Sequence, residues 1–150
     1  MSAHSAAPNA DVSGRWTYRS YHNDPSLVGA DSPAARKKAY DLILGEGVFQ
    51  LAVSAHGAIT GPFDMGGGYL MDMTGTVSRP PHAPVQIEMR GTGRAGTPTA
   101  GWIYDYRGFV VPAWPHGVKQ VEAIVGTTIR AVPHNGEPAG VTASIIMVRS

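Results

Sequence analysis

Polar and aromatic side chains recur at every second position of one N-terminal segment. They are Trp16, Tyr18, Ser20 and His22. Because successive side chains of a β-strand point to opposite faces, these four residues share one face. They offer a stacking ring, two hydroxyls and an imidazole, groups that bind a small molecule or transfer a proton. We therefore predict all four as ligand-binding residues, with His22 and Tyr18 as candidate catalytic residues. Alternatively, Trp16 plugs the floor of a β-barrel and His22 lies at the start of a solvated loop.

A second alternating set is aromatic. Trp102, Tyr104 and Tyr106 share one face of a later segment, and buried tyrosine hydroxyls need hydrogen-bond partners. This pattern predicts Trp102 and Tyr104 as ligand-binding residues and Tyr104 as a further catalytic candidate. Alternatively, the three rings pack as core against the proline-rich segment that follows them.

An apolar lining is predicted from Phe63, Met71 and Met73. Methionine thioethers adapt to irregular shapes, which suits either an apolar ligand or a filled core. Trp114 precedes Pro115 and His116 in a stiff segment. If the strands form a barrel, as argued below, we predict that this segment closes over one open end and that Trp114 contacts the ligand.

Several classes of function have no support in the sequence. The chain has no cysteine, and its six histidines lack the short spacings of a metal site, so we predict no metal and no cofactor. A net charge of +1 gives no basic face for nucleic acid. No segment is long and apolar enough to cross a bilayer, and residues 1–12 have no signal-peptide pattern, so we expect no membrane partner and a cytoplasmic location.

The elements that position these residues are strands. Short alternating segments separated by Gly, Pro and Asn turns run from residue 13 to residue 150, after a tail over residues 1–12 that we expect to be disordered. About eight strands predict an all-β domain, a single antiparallel up-and-down barrel. The long connection after the first strand should carry one short helix over residues 34–44, which begins after Asp31-Ser32-Pro33 and presents Tyr40, Ile43 and Leu44 to the barrel.

The order of these features resembles the calycin barrels, and within them the avidin and streptavidin type. Gly14-Arg15-Trp16 resembles the Gly-x-Trp opening of their first strand, residues 49–63 resemble their second hairpin, and Met73-Thr74-Gly75 resembles the Thr-Gly pair of their fourth strand. Trp102 stands where that family carries a ligand-facing tryptophan. The resemblance implies a barrel with an internal ligand site.

The biotin contacts of that family are largely unmatched. Tyr18 and His22 stand at first-strand positions that hold small polar contacts, and Phe63 stands where a tyrosine is expected. Ile87 and Met89 replace tryptophans, and the last strand has no aspartate for the ureido group. The resemblance therefore implies the fold and not biotin as the ligand.

Lipocalins give a second comparison, since their Gly-x-Trp packs against an arginine from a late strand. On that likeness, Arg130 is expected to cover Trp16 at one end of the barrel.

Two late segments, residues 123–125 and 143–148, are apolar on both faces. Because a barrel strand has one face outside, we expect the helix or a second copy of the chain to cover them, and we favour a homodimer. The leading functional hypothesis is a barrel that binds a small apolar or aromatic molecule. The alternatives are a cofactor-free cyclase or isomerase that uses the cavity, and a filled barrel that acts as an interaction or stability module.

Overall fold

The computed structural model describes residues 11–23 and 31–150. Eight antiparallel strands, each paired with its neighbours in sequence, form a barrel that β8 closes by pairing with β1. This confirms the predicted fold class, including one short helix after the first strand. The elements are β1 (Gly14–His22), α1 (Pro33–Asp41), β2 (Ile43–Val53), β3 (Ala58–Asp64), β4 (Leu70–Ser78), β5 (Gln86–Gly93), β6 (Ile103–Val111), β7 (Ala123–Arg130) and β8 (Thr142–Arg149).

The strands run alternately up and down, so the barrel has two distinct ends. Odd-numbered strands end at the end we call the mouth, where residues 31–42 and the 65–69, 94–102 and 131–141 connections lie. Even-numbered strands end at the opposite end, which we call the floor. Buried residues alternate with exposed residues along every strand, because one strand face lines the barrel and the other meets solvent.

An aromatic layer fills the middle of the barrel. Phe49 stacks on Phe63 with ring centroids 4.1 Å apart, and the Tyr18 ring meets each of them edge-on at 5.1 Å. Tyr106 meets Phe49 edge-on at 5.8 Å. On the floor side of this layer the interior is filled by apolar side chains, which are Trp16, Leu51, Ile59, Ile87, Val110, Ile124 and Met147.

Arg149 and Trp16 close the floor. The guanidinium carbon of Arg149 lies 4.2 Å from the centroid of the Trp16 ring, and its Nη1 donates to the Ser13 carbonyl at 2.8 Å. Its Nη2 donates to the Asp11 carbonyl, and its Nε donates to Glu122 at 2.9 Å. The expectation that Arg130 covers Trp16 is wrong, because Arg130 ends an odd-numbered strand and lies at the mouth.

The segment over residues 1–12, which we expect to be disordered, lies mostly outside the described residues. Only its last two residues, Asp11 and Val12, are described. Its last residue, Val12, is buried in the core, and the Val12 carbonyl accepts a hydrogen bond of 2.9 Å from Trp16 Nε1. The packed part of the chain therefore includes Val12.

The helix is shorter than predicted. Ser32 caps it as expected, since its Oγ accepts from the Ala35 amide at 3.1 Å, and Pro33 is the first helical residue. Ile43 and Leu44 belong instead to β2, where Ile43 pairs with Tyr21. Tyr40 is 77% exposed. Strand pairing overrides the helical pattern here because the closed barrel needs a long β2.

The sixth strand extends well past the aromatic set of Trp102, Tyr104 and Tyr106. Gly108–Val111 completes β6 and pairs with β5 and β7. The strand ends at Val111, before Pro112, which has no amide hydrogen to donate. Trp114 follows in the connection at the floor and is 60% exposed.

Candidate functional site

A cavity of about 40 Å³ lies inside the mouth end of the barrel. One water needs about 10–15 Å³ of such space, so the cavity has room for a few waters or for a small functional group of a larger molecule. Its lining residues come from β1, β2, β3, β4, β6 and β7 and from two mouth connections; they are Tyr18, Ser20, Leu44, Gly45, Phe63, Met65, Met71, Trp102, Tyr104, Tyr106 and Thr128.

Glycine in β2 leaves this space open. A Cβ added at Gly45 would lie 3.4 Å from Ser20 Oγ and 3.8 Å from Tyr18 Cε1, which are ordinary contact distances. A Cβ at this position would therefore fit beside the two cavity-lining residues Tyr18 and Ser20. The aromatic layer below it separates the cavity from the apolar floor.

Hydroxyl groups give the cavity its polarity. Five of its lining residues carry one: Tyr18, Ser20, Tyr104, Tyr106 and Thr128. Burial raises the pKa of Tyr18, and hydrogen bonds to Ser20 and Tyr106 offset part of this effect. Burial also raises the pKa of Tyr106. Both phenols therefore stay protonated at neutral pH and remain able to donate a hydrogen bond.

The Tyr104 hydroxyl, at the cavity wall, contacts two side chains of the mouth, Arg130 and His134. Arg130 Nε donates to the Tyr104 hydroxyl at 3.0 Å, and His134 Nε2 lies 2.6 Å from the same oxygen. Arg130 is buried, with 4% of its surface exposed, and its Nη1 donates to the Pro138 carbonyl at 3.1 Å. One tyrosine oxygen therefore receives contacts from two nitrogen-bearing side chains.

His134 is held by stacking. Its ring lies 4.1 Å from the Trp102 ring at an interplanar angle of 17°. Desolvation and the Arg130 charge lower the pKa of His134, and Glu137 partly opposes this effect. The imidazole is therefore neutral at neutral pH, and its Nδ1 is buried with no hydrogen-bond partner in the described structure.

The connection between β5 and β6 positions Trp102. Thr99 is buried, and its hydroxyl donates to the Leu70 carbonyl of β4. The Trp102 amide donates to the Thr99 carbonyl at 2.9 Å, and the Trp102 carbonyl accepts from Gly93 at 2.8 Å. Gly93 is required at its position because a Cβ there would lie 1.6 Å from the Thr99 carbonyl oxygen. This turn fixes the Trp102 ring at the cavity wall.

The structure brings six of the predicted ligand-binding residues together at the cavity: Tyr18, Ser20, Phe63, Met71, Trp102 and Tyr104. The other four lie elsewhere. Trp16 is buried in the floor, Met73 is buried outside the cavity lining, His22 is half-buried at the end of β1, and Trp114 lies at the floor. Of the catalytic candidates, Tyr18 and Tyr104 line the cavity and His22 does not.

The sequence interpretation missed Thr128, Arg130 and His134. Alternation along β7 places Thr128 and Arg130 on the inward face with Ile124. An arginine and a threonine on an inward face were the available signal for a polar end of the barrel. His134 lies in a turn after β7, and no local pattern marks it as a neighbour of Tyr104.

A larger depression of about 560 Å³ lies on the outside of the barrel over β1, β2 and β3, beside Arg15, Gln50 and Asp64. It is an open surface groove. Within residues 11–23 and 31–150, no three histidine, aspartate or glutamate side chains come together as a metal site. No helix in the same ranges has the length and apolar character needed to span a membrane.

Comparisons with protein-family models, with curated proteins and with solved structures find no match to this chain. The closed eight-stranded antiparallel barrel is consistent with a calycin-like fold.

Proposed function

We propose that this barrel binds a small molecule at its mouth. A small polar group of the ligand would enter the cavity, and its apolar or aromatic body would rest against Leu44, Met65 and Trp102 at the rim. The observation that carries the proposal is the cavity itself: five hydroxyl-bearing residues surround about 40 Å³ at one end of a barrel that is otherwise filled by apolar side chains.

Polarity argues for a ligand at this end. Buried polar groups lower stability unless they are hydrogen-bonded, and a barrel interior filled only for stability would use apolar side chains, as the floor does. The mouth instead holds hydroxyls, a guanidinium and an imidazole in one region. Ligand sites combine an apolar lining with a few such convergent polar groups.

A cavity-filling variant tests this proposal. In Gly45→Leu the Cβ makes only ordinary contacts, and the rest of the side chain should occupy the cavity. A circular dichroism spectrum like that of the wild type checks that the variant is folded. We expect native mass spectrometry of the purified wild-type protein to detect a bound small molecule, and we expect Gly45→Leu to lose it. Gln50→Leu, on the outer face of the same strand, is the matched control and should keep the molecule. The proposal fails if no molecule is found with the wild type, or if both variants keep it.

An enzymatic alternative has one specific observation in its favour. The 2.6 Å contact between the Tyr104 hydroxyl and His134 Nε2 is an acid–base pair at the cavity wall, which suits a cofactor-free isomerase or cyclase. In this version His134, and not His22, assists Tyr104. If the protein is an enzyme, the bound molecule should be converted by the wild type and left unchanged by Tyr104→Phe. Unchanged ligand after incubation with the wild type would favour a carrier.

The outer face of β7 and β8 supports the homodimer hypothesis. None of the outward residues of these two strands is charged; they are Ala123, Val125, Thr127, Ile129, Thr142, Ser144, Ile146 and Val148. Phe109 of β6 lies beside Val125 and is 47% exposed. Helix α1 packs against β2, which β1 separates from β8 in the barrel.

We propose that two copies of the chain pack this face against each other. Such a contact is also what the alternative function, an interaction or stability module, would require. Val125→Glu should shift the mass measured by light scattering from dimer to monomer, because it places a charge at the centre of the face. Thr74→Glu, on the exposed face of β4, is the control and should leave the mass unchanged. A monomeric wild type would contradict the dimer.

A further inference from the structure

The hydrogen bonds that the Tyr104 hydroxyl already makes determine which hydrogen bond it can still form with a ligand. A tyrosine hydroxyl can donate one hydrogen bond and accept two. Arg130 carries no acceptor, so its Nε–H must donate to the Tyr104 oxygen at 3.0 Å. The 2.6 Å contact with His134 Nε2 then has two possible directions, and the tautomer of His134 decides between them.

The buried Nδ1 of His134 favours one tautomer. Because Nδ1 has no hydrogen-bond partner, it is either an unpaired N–H or an unpaired lone pair. Among buried backbone groups, unpaired N–H donors are rarer than under-satisfied carbonyl acceptors, and an unpaired imidazole N–H carries the same kind of desolvation cost. A hydrogen on His134 Nε2, donated to Tyr104, avoids such an unpaired buried donor. With two donors on its oxygen, the Tyr104 hydroxyl has its own hydrogen free for another acceptor.

The charge of Arg130 favours an anionic acceptor. Arg130 is 4% exposed, and none of the ion pairs among the described residues includes it. A buried charge without a counter-charge is unfavourable, and a nearby anion offsets that penalty. Asp72 and Asp105 do not supply one, since they lie outside the barrel in ion pairs with Arg94 and Arg90. Glu137 acts on the pKa of His134, but none of the ion pairs among the described residues joins it to Arg130.

From these contacts we infer that the mouth binds a carboxylate, which accepts the Tyr104 hydroxyl hydrogen and lies next to Arg130. Arg130 and His134 act as positioning residues that hold Tyr104 as a donor. The cavity has room for a carboxylate, while the rest of the ligand stays at the rim. This inference rests on the proposed small-molecule function and names the class of ligand that the site takes.

The tautomer is tested without any ligand. Long-range ¹H–¹⁵N NMR distinguishes a protonated Nε2 from a protonated Nδ1 in a neutral histidine, with His134→Gln used to assign the signal. We expect the Nε2–H form. The Nδ1–H form would mean that Tyr104 donates to His134, which would overturn the inference.

The ligand class is tested with three probes that share one skeleton: 4-phenylbutyrate, 4-phenylbutan-1-ol and 4-phenylbutylamine. By calorimetry at neutral pH we expect the carboxylate to bind about tenfold or more tightly than the alcohol, which is the effect of one charge-assisted hydrogen bond. The amine should bind most weakly. Tyr104→Phe should reduce the preference for the carboxylate to about threefold or less, because only the charge of Arg130 then favours it.

A conservative variant guards against misfolding. Arg130→Lys keeps the charge and loses the guanidinium geometry, so the preference should fall and not vanish. Equal binding of the three probes, or an unchanged preference in Tyr104→Phe, would overturn the carboxylate inference. So would failure of all three probes to bind while native mass spectrometry still shows a molecule lost in Gly45→Leu; in that case the binding function stands and only the ligand class is wrong.

Discussion

Removing the Arg149 side chain from the floor should cost far more stability than removing an arginine from the barrel surface. Arg149→Met keeps the aliphatic stem and removes the guanidinium that covers Trp16. Arg107→Met is the matched control, because Arg107 forms an ion pair with Glu88 in which both side chains are more than half exposed.

The magnitude follows from the contacts of each guanidinium. The cation–π contact at 4.2 Å contributes about 0.5–2 kcal/mol. The hydrogen bonds to the Ser13 and Asp11 carbonyls and the half-buried pair with Glu122 add about 1.5–3 kcal/mol in total, since charge-assisted bonds are discounted for partial exposure. Arg149→Met should therefore lower the free energy of unfolding by about 2–5 kcal/mol. Arg107→Met should lower it by about 0–1 kcal/mol.

Urea unfolding followed by tryptophan fluorescence measures both values, and the melting temperature should fall by roughly 4–20 °C for Arg149→Met. A double-mutant cycle with Trp16→Leu, which removes the aromatic ring, isolates the stacking contact, for which we expect a coupling of about 0.5–2 kcal/mol. The reasoning is refuted if Arg149→Met is no more destabilising than Arg107→Met, or if the cycle shows no coupling.

Three further predictions concern the mouth and the aromatic layer. Folding lowers the pKa of His134, so the folded protein favours the neutral imidazole. The stability that this provides is present above the pKa of histidine in the unfolded chain and is lost as pH falls. Between about pH 7 and 5 the free energy of unfolding measured in urea should therefore fall more for the wild type than for His134→Gln. Since burial raises the pKa of Tyr18 and Tyr106, at least two tyrosines should stay un-ionised in an ultraviolet titration at about pH 11, and ionisation of every tyrosine there would contradict their burial. Gly93→Ala should lower stability by about 2 kcal/mol or more, because its Cβ overlaps a backbone oxygen, and unfolding no earlier than the wild type would show that the turn can move.

Most of the barrel was predictable because alternation assigns each residue to a face. The inward faces of β1, β4, β5 and β6 follow the period of two, so Tyr18, Met71 and Tyr104 are buried where the pattern places them. The helix was misjudged at its end because Ile43 and Leu44 fit a helical stripe and a strand equally well. Only the pairing of Ile43 with Tyr21 distinguishes the two.

Alternation does not say at which end of the barrel a residue lies. In an up-and-down barrel the strand number does: Arg130 ends an odd strand and Arg149 ends an even strand, so they lie at opposite ends. By the same rule Trp114 lies at the floor, because it follows the even-numbered strand β6. Counting strands would have assigned both arginines correctly.

Two properties of the site were beyond the sequence. The cavity volume depends on how Phe63, Tyr106 and their neighbours share the interior, which residue types alone do not determine. The approach of His134 to Tyr104 depends on the path of the turn after β7, and the two residues are 30 positions apart in the chain. Contacts between residues so far apart in the chain leave no local sequence pattern that would predict them.

The pairing of β1 with β8 has a consequence for synthesis of the protein. These strands meet across most of the chain, as in the bond from Thr17 to the Val148 carbonyl, which spans 131 positions. On the ribosome, seven strands can assemble in order while the open edge of β1 waits for its partner. Until β8 is released, that edge and the Trp16 ring lack their cover, so a pause or truncation in the last strand should leave a nascent chain prone to aggregation and dependent on chaperones.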